Sequence, residues 1–495
     1  MRKVDADVII IGGGVTGTSI ARELSQYQVD VILLEKEKEL CFGVTKATHS
    51  FIHCGLPEKG APILNKTVLE GNALFDSLTK ELDVPFARIG KLLIVREGED
   101  ISFLEKIKRE GEKVGIPGIK ILTRKQIMDM EPNITKKVVA AVYTPTTGIV
   151  SPWELVFALA ENAKDNGVTI LLDREVKAIE LIDKDGFNLI TNRGSFKCKF
   201  LINAAGLFAD KVASMVGVGD FEMVGIKQQR FILDEKLSGM VNHLVRSPLS
   251  WDFVSPTKKE LGVGNNNIIL GFTVEKVENK GDTTTTVEGF KRVINFAKEV
   301  FPFISEKDII TSFAGLVPLN TKTNDYVVEA DKKIPTFINA IVGGSGVSAS
   351  PAVAKMVVKI LNQQGLKLIK KLKFKPRRRA IINFRSLSEE GKDNIISTNK
   401  LYGHVVCRCE TVTEGEIVEA IKRGAKTLDG IKYRTRAGMG RCQGGFCTPR
   451  VVKILARELK IPVTEVTKKG DDSRILLFES KELLKKERKD ESSKS

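Results

Sequence analysis

Four of the seven cysteines crowd one short stretch of the chain, Cys407-Arg408-Cys409 and, after 32 intervening residues, Cys442-Gln443-Gly444-Gly445-Phe446-Cys447. Thiolates this close together read as metal ligands in a reducing compartment rather than as a disulfide framework. Structural zinc usually takes Cys-x2-Cys knuckles, because two intervening residues let the backbone wrap the ion; spacings of one and four fit that poorly. A [2Fe-2S] cluster needs two cysteines on each iron, and Gly444 and Gly445 let backbone N–H groups reach bridging sulfides. The second pair also precedes an expected helix, Arg450 to Leu459, whose positive end favours an anionic cluster. The pattern favours [2Fe-2S] on Cys407, Cys409, Cys442 and Cys447, with zinc as the competing reading. Cys41, Cys54 and Cys198 read as plain buried thiols.

A second constellation lies at the N-terminus. The apolar run Asp7 to Ile11 enters Gly12-Gly13-Gly14-Val15-Thr16-Gly17, an expected helix ends near Gln26, and a second apolar strand, Val29 to Leu34, closes on Glu35. Strand, Gly-x-Gly-x-x-Gly, helix, strand and acid form the arrangement that sets a pyrophosphate on a helix N-terminus and a ribose hydroxyl on a carboxylate. Gly12 permits the turn, Gly14 the approach of backbone to phosphate, and Gly17 the packing of helix on strand. Near residue 340 a strand-like Phe337 to Val342 runs into Gly343-Gly344-Ser345-Gly346, which opens an expected helix Pro351 to Leu361. This second glycine-rich helix start can aim backbone N–H groups at an electron-rich ring.

These motifs need a large scaffold, and 495 residues supply one of two or three domains. Hydrophobic residues at 42% and charged residues at 28% describe an ordinary globular protein. Strands and helices alternate around both glycine turns, and the strand-like runs of residues 221 to 275 suit a sheet inserted between parts of a nucleotide-binding domain. The fold class is therefore α/β: a Rossmann-like domain with an inserted, mostly antiparallel substrate-domain sheet, plus a small, mainly helical C-terminal domain. The expected boundaries are 1–369 for the discontinuous first domain, 370–400 for a basic linker, 401–470 for the cysteine domain and 471–495 for a charged tail.

The formal net charge is 78 − 62 = +16. Its distribution matters more: residues 1–369 carry 47 basic and 45 acidic side chains, residues 370–379 seven basic and none acidic, and residues 401–470 carry 14 and seven. No helix-turn-helix or aromatic-basic RNA motif accompanies the excess, which argues against nucleic acid. The 370–379 run reads first as a solvated linker. No apolar run approaches the roughly 20 residues of a spanning helix, so a cytoplasmic chain is expected, with any membrane contact peripheral and through a partner.

The Gly12 to Glu35 unit, the loop Thr45-Lys46-Ala47-Thr48-His49-Ser50-Phe51-Ile52-His53-Cys54-Gly55, the strand end Asn203-Ala204-Ala205-Gly206 and the Gly343 to Pro351 segment together resemble FAD-dependent oxidoreductases of the D-amino-acid oxidase superfamily. Within it they are most similar to flavin glycerol-3-phosphate dehydrogenases and L-2-hydroxyglutarate oxidases. Val406 to Ile461 resembles the bacterioferritin-associated-ferredoxin-like [2Fe-2S] domain, and the fusion is the layout of the large chains of anaerobic glycerol-3-phosphate dehydrogenases. The resemblance implies an FAD diphosphate over Gly12, Gly14 and Gly17, the adenosine ribose on Glu35, Thr45, Lys46 and Ser50 along the flavin, Val176 at the adenine, and Gly206 and Gly346 at the pyrophosphate and the flavin N1/O2 edge. His53 matches the histidine of the family's Ile-His-Ala-Gly motif, where it either serves as the base or only packs.

One family feature is missing. The strand Phe-Ala-Gly-x-Arg-Pro appears as Phe313-Ala314-Gly315-Leu316-Val317-Pro318, with Val317 in place of the arginine that grips the anionic substrate. Arg230, on an expected strand Gln228 to Leu233, and Lys258, ahead of a short insertion, are the compensating cations, with surface salt bridging as the alternative reading. The resemblance implies oxidation of sn-glycerol 3-phosphate to dihydroxyacetone phosphate, with electrons passing through FAD and the cluster to a second flavoprotein or electron-carrier protein, hence a hetero-oligomer. Two alternatives stand beside it: a dehydrogenase of L-2-hydroxyglutarate, another 2-hydroxy acid or an amino acid, and a non-catalytic electron-transfer component of a flavoprotein complex. Arg434, Arg436 and Arg441, just before the second cysteine pair, are expected to steer an acidic acceptor.

Overall fold

A computed structural model describes residues 5–182, 186–248, 250, 252–258, 263–478 and 480–481. The chain divides into two compact units, Met1–Lys36 with Leu40–Ala380, and Glu37–Glu39 with Ile381–Ser495.

Among the described residues the first unit holds two large sheets and a small one, in which Gly148–Val150 pairs with both Phe51–Ile52 and Phe86–Arg88. In the first large sheet, strand Ala6–Ile11 lies between Val31–Leu34 and the C-terminal half of Gly194–Asn203, with Thr169–Leu171 and Phe337–Ile341 outside them, all parallel. Val8, Ile9 and Ile10 are fully buried, as expected of a strand covered on both faces, so the sequence must be continuously apolar there rather than alternating. Helices Val15–Leu24, Pro152–Asp165 and Gly346–Gln363 belong to this layer. The last of these begins at Gly346, not at Pro351, which lies inside it. Antiparallel strands Val176–Ile182 and Gly186–Thr191 extend one edge.

The second sheet has nine strands and is antiparallel except where Leu244–Arg246 pairs with Lys91–Arg96. Its longest ladder joins Met223–Leu233 to Ile309–Asn320. A core of Leu92, Ile94, Phe231, Leu233, Val254 and Leu270, among others, packs against helix Val287–Val300. This inserted sheet carries Arg230 and Lys258.

The basic run does not form the linker expected over 370–400. Its outer side is solvated, but its backbone is tied to the first unit: Lys371 N donates to Gln26 O at 2.8 Å, Asn162 Nδ2 and Asn166 Nδ2 both donate to Lys375 O at 2.9 Å, and Arg378 Nε meets Glu161 at 2.6 Å. Residues 381–400 group with the second unit and include the helix Glu389–Thr398.

The second unit is mainly helical. Helices Glu414–Lys422, Leu428–Thr435 and Thr448–Leu459 join a two-stranded ribbon, Val405–Cys407 with Val412–Thr413, around a core that includes Ile417, Ile431, Val451 and Leu455. Thr413 and Glu416 cap the first of these helices reciprocally, the Thr413 hydroxyl accepting from Glu416 N and the Glu416 carboxylate from Thr413 N. Most of the 471–495 tail lies outside the described residues.

Candidate cofactor and substrate sites

The three glycines of the first turn differ in what their missing side chains permit. Gly12 has φ +115°, and a Cβ there would stand 2.4 Å from Ala204 O; one on Gly17 would stand 1.9 Å from Gly12 O. Both are demanded by backbone crossing. A Cβ on Gly14 would meet only Thr45 Oγ1, at 3.2 Å. Gly14 is also the N-cap of Val15–Leu24 and caps it with no side chain. The helix therefore presents its positive end to open space, which is what a diphosphate needs. Thr45 borders that space and accepts from Val15 N at 3.2 Å. Glu35 is buried at the end of Val31–Leu34, its carboxylate accepting from Gly13 N at 2.6 Å, so it is held at the position where a ribose hydroxyl would reach it.

The remaining cofactor candidates line the same layer. Val176 is buried in the core with Ile11 and Leu34, and Gly206 opens a 3-10 turn at φ +57°. Gly346 starts its helix after Ser345, which has φ +62° and makes no side-chain cap, so this is a second helix start without a capping side chain. Lys46 carries its backbone carbonyl to Trp153 Nε1 at 2.9 Å, and Ser50 adopts φ +67° at the bend before strand Phe51–Ile52. These residues fit a flavin dinucleotide.

Gly14→Val should separate fold from cofactor, because a side chain there meets no backbone and yet fills the phosphate space. The expected product is a folded protein without flavin, checked by circular dichroism and by the visible flavin absorbance; a fully flavinated variant would refute the placement. Gly12→Val and Gly17→Val should fail to fold.

His53 is half-buried and anchored through its backbone: its N donates to Ser348 Oγ at 2.9 Å, and its O accepts from Asn72 Nδ2 at 2.8 Å. Loss of hydration, with Lys91 and Arg246 adding positive charge, pulls its imidazole pKa down to about 3. It is thus neutral, with a lone pair available. His49 escaped sequence reasoning although it stands four residues earlier in the same loop. Its ring lies 5.2 Å from that of His53, stacks on Phe51 at 4.4 Å, and leaves a buried Nδ1 without a hydrogen-bond partner. Burial, then His53 and Arg230, hold its pKa well below the usual range. Lys91 and Arg246 were missed too, since neither sits in a motif and both arrive from the inserted sheet. Buried Cys54 is more than a plain thiol: although burial alone would raise its pKa, Lys91 and nearby hydrogen bonds bring it below the ordinary value.

Arg230 is 1% exposed and forms no ion pair among the described residues, contrary to the surface salt bridging read as the alternative from sequence. Its Nη1 and Nη2 donate to Gln228 O and Gln228 Oε1 at 3.0 and 2.6 Å, while its buried Nε has no partner. Loss of hydration alone lowers its pKa to about 9, with no carboxylate offsetting it. Arg230 pairs with Phe313, and Val317 with Ile226, so the two share one face of the ladder, four residues apart, roughly 13 Å along a strand. That face meets the histidine loop, because a Cβ on Gly315, between them, would lie 2.6 Å from Ala47 Cβ. Lys258 ends strand Phe253–Lys258, and its side chain lies outside the described residues.

The four cysteines of the second unit pair across their two motifs. Cys409 Sγ lies 3.7 Å from Cys442 Sγ, and the Cys407 and Cys447 thiols hydrogen-bond to each other. The two pairs lie near one another, since Cys407 interacts electrostatically with both Cys409 and Cys442. Two pairs suit two irons. Backbone N–H groups reach the sulfurs: Gly438 and Glu410 at Cys407, Phe446 and Gly444 at Cys442. Gly440 is required by close approach, since a Cβ there would lie 2.3 Å from Cys409 Cβ. Cys407 and Cys447 are buried, whereas Cys442 is exposed. Arg434 and Arg436 do not form the expected steering surface: Arg434 pairs with fully buried Glu39 at 2.8 Å, and Arg436 with buried Glu410 at 2.9 Å.

A dinucleotide cradle beside a neutral histidine and a buried cation, on a chain that also holds paired thiols, defines an oxidoreductase with two redox groups. Residues 7–360 match the family described as FAD dependent oxidoreductase, and the chain belongs to that family; residues 405–457 match the BFD-like [2Fe-2S] binding domain. The cofactors are accordingly FAD and a [2Fe-2S] cluster. The chain is 40% identical over 478 residues to a glycerol 3-phosphate dehydrogenase of Caloramator mitchellensis, covering 95% of this chain and 98% of that one. It is 23% identical to one component chain of the anaerobic glycerol-3-phosphate dehydrogenase of Escherichia coli K12, over 91% of this chain and 88% of that one. The FAD-bound, dithionite-reduced L-alpha-glycerophosphate oxidase of Mycoplasma pneumoniae superposes with TM-score 0.70 at 27% identity, covering 75% of this chain and 98% of that structure.

Proposed function

We propose that the chain oxidises sn-glycerol 3-phosphate at its secondary carbinol to dihydroxyacetone phosphate and sends the electrons through its C-terminal unit to a separate acceptor. The observation that carries the substrate assignment is Arg230, a buried guanidinium with an unpartnered Nε and, among the described residues, no carboxylate paired with it. A buried cation left so is costly unless an anion completes it, and a phosphate does so with charge-assisted hydrogen bonds. Lys258 is the second anchor. Relatives named as glycerol 3-phosphate dehydrogenases support the same substrate.

Bound FAD supplies the two-electron acceptor for the carbinol hydride, and the cluster a one-electron outlet. The chain's own groups do the rest. His53, kept neutral by burial, takes the hydroxyl proton at an imidazole nitrogen as the carbonyl forms. Phe51, Phe253 and Phe272 surround His49 with ring centroids within 5.9 Å, a wall that keeps water from the reacting carbon. Glu35, Gly14 and Thr45 would hold the dinucleotide at its ribose and phosphates, and Cys407, Cys409, Cys442 and Cys447 would hold the irons.

The acceptor is a partner protein in a hetero-oligomer. Relatives named as single components of an anaerobic glycerol-3-phosphate dehydrogenase support such an assembly. Among the described residues no helix is long and apolar enough to cross a membrane.

Anaerobic titration of the flavin absorbance tests the substrate, with phosphorylated polyols, 2-hydroxy acids and amino acids compared. Glycerol 3-phosphate should bleach the flavin at the lowest concentration; bleaching by a hydroxy acid instead would overturn the assignment. Arg230→Met keeps bulk and removes charge, and kcat/KM should fall by ~10- to 10³-fold, the order of one lost charge-assisted contact. Unchanged kinetics in both Arg230→Met and Lys258→Met would place the anion elsewhere.

A further inference from the structure

We infer that exposed Phe446, flanked by Arg408 and Arg450 beside the solvent-facing cluster cysteine, is the docking face for an acidic one-electron carrier protein. The inference rests on the reading of the four cysteines as cluster ligands and adds what meets them from outside.

Phe446 keeps 47% of its surface exposed, although it directly precedes buried Cys447 in the cysteine loop. It does not stand alone: the Arg408 guanidinium lies 4.7 Å from its ring centroid and that of Arg450 5.1 Å. Both arginines are exposed, and Arg450 Nη1 also reaches Val405 O at 3.4 Å, where the Val405 side chain adds a second exposed apolar surface. Arg441 and Lys453 are exposed as well, one preceding Cys442 and the other one helical turn beyond Arg450. An aromatic ring held between two guanidinium groups and rimmed by further positive charge has the composition of an interface hot spot.

The chemistry of the site selects the occupant. Electron transfer needs close approach to the cluster, and Cys442 is the ligand on the exposed side. The nearby acid cannot balance the positive rim, because Glu410 is buried and paired with Arg385 and Arg436. Over residues 401–470 the charge is 14 − 7 = +7. A carrier with an acidic patch around its own redox centre therefore complements this face, and the attraction steers its encounter. One electron leaves the reduced cluster and one enters the oxidised centre of the carrier, with no bond made and no proton moved. Each substrate molecule yields two electrons, so two carriers are reduced per turnover.

The test uses holoenzyme and, as probe, an acidic plant-type [2Fe-2S] ferredoxin, with basic cytochrome c and phosphatidylglycerol vesicles as alternatives. Affinity is measured by calorimetry at low and high salt, and transfer by stopped-flow absorbance. Wild-type holoenzyme should bind the ferredoxin, and raising salt should weaken binding as the Debye length shrinks from about 10 Å at 0.1 M. Arg408→Glu with Arg450→Glu should raise Kd at least ~10-fold and flatten the salt dependence. Phe446→Ala should raise Kd by ~10- to 100-fold with the salt slope kept. Arg450→Met, a milder change on a helix surface, replaces any variant that loses cluster absorbance. Unchanged Kd in variants with full cluster absorbance would overturn the docking face, as would tighter binding of cytochrome c or of the vesicles than of the ferredoxin. Absence of iron and sulfide from the wild-type protein would instead overturn the cluster reading itself, so the two failures are told apart.

Discussion

Cys442→Ser holoenzyme should be reduced by glycerol 3-phosphate at the wild-type rate yet deliver no electrons to its natural acceptor. Cys442 is the exposed member of the pair it forms with Cys409. Serine in its place substitutes a hard, weakly acidic hydroxyl for a thiolate, and iron-sulfide clusters select thiolate. His53, Arg230 and Glu35 all belong to the first unit, whereas the four thiols belong to the second, so hydride abstraction proceeds. The two half-reactions separate in one instrument: anaerobic bleaching of the flavin in a stopped-flow cell, then steady-state reduction of the acceptor. Wild-type transfer to that acceptor by Cys442→Ser would show that the C-terminal unit is not the exit. Zinc in place of iron in the purified protein would make the unit structural, because zinc carries no redox chemistry.

What the sequence reveals about this site divides by the range of the interactions. The glycine turn and the cysteine pairs are local: each residue type answers to a backbone conformation or a metal bond within a few positions, so Gly12, Gly17 and the thiols can be read in order. Helix Val287–Val300 is readable for the same reason, through its apolar period. Pro351 misleads, since a proline usually marks a first turn, whereas here the helix is already under way from Gly346. Charge misleads more. Arg434 and Arg436 read as surface cations, but Glu39 and Glu410 take them into buried pairs, and only the folded chain brings Glu39, hundreds of residues earlier, to Arg434. Arg230 errs in the opposite direction, because nothing in its neighbourhood along the chain distinguishes a buried guanidinium with an unpartnered Nε from an ordinary strand-edge arginine. Lys91 and Arg246 reach the histidines by sheet pairing between strands far apart in sequence. The basic run 370–379 reads as a linker because its anchors, Asn162, Asn166 and Glu161, lie on a distant helix.

The second large effect belongs to His53→Gln. Glutamine keeps polarity and approximate size but cannot take a proton near neutral pH, so the rate of substrate-driven flavin reduction should fall by ~10²- to 10⁴-fold, the range of a lost general base. KM should change little, since the proposed anchor of the anion is Arg230, not His53. The same substitution should also leave a mark on stability, whether His53 acts as base or only packs. Burial, Lys91 and Arg246 depress the pKa of His53 in the folded protein to about 3, whereas in the unfolded chain it returns to about 6.5. Between those values the unfolded state binds a proton that the folded state refuses, so stability rises with pH across that window and is lost as the pH falls from about 6.5 toward 3. His53→Gln removes that proton from both states. Its melting temperature should therefore decline less steeply than that of the wild type on acidification, with the two curves parallel above about pH 7. His49 is held below its usual range partly by His53, so the comparison is made in a His49→Gln background. A His53→Gln variant that bleaches its flavin at the wild-type rate would make His53 a packing residue, and His49, with its unpartnered Nδ1, would be the next base to test.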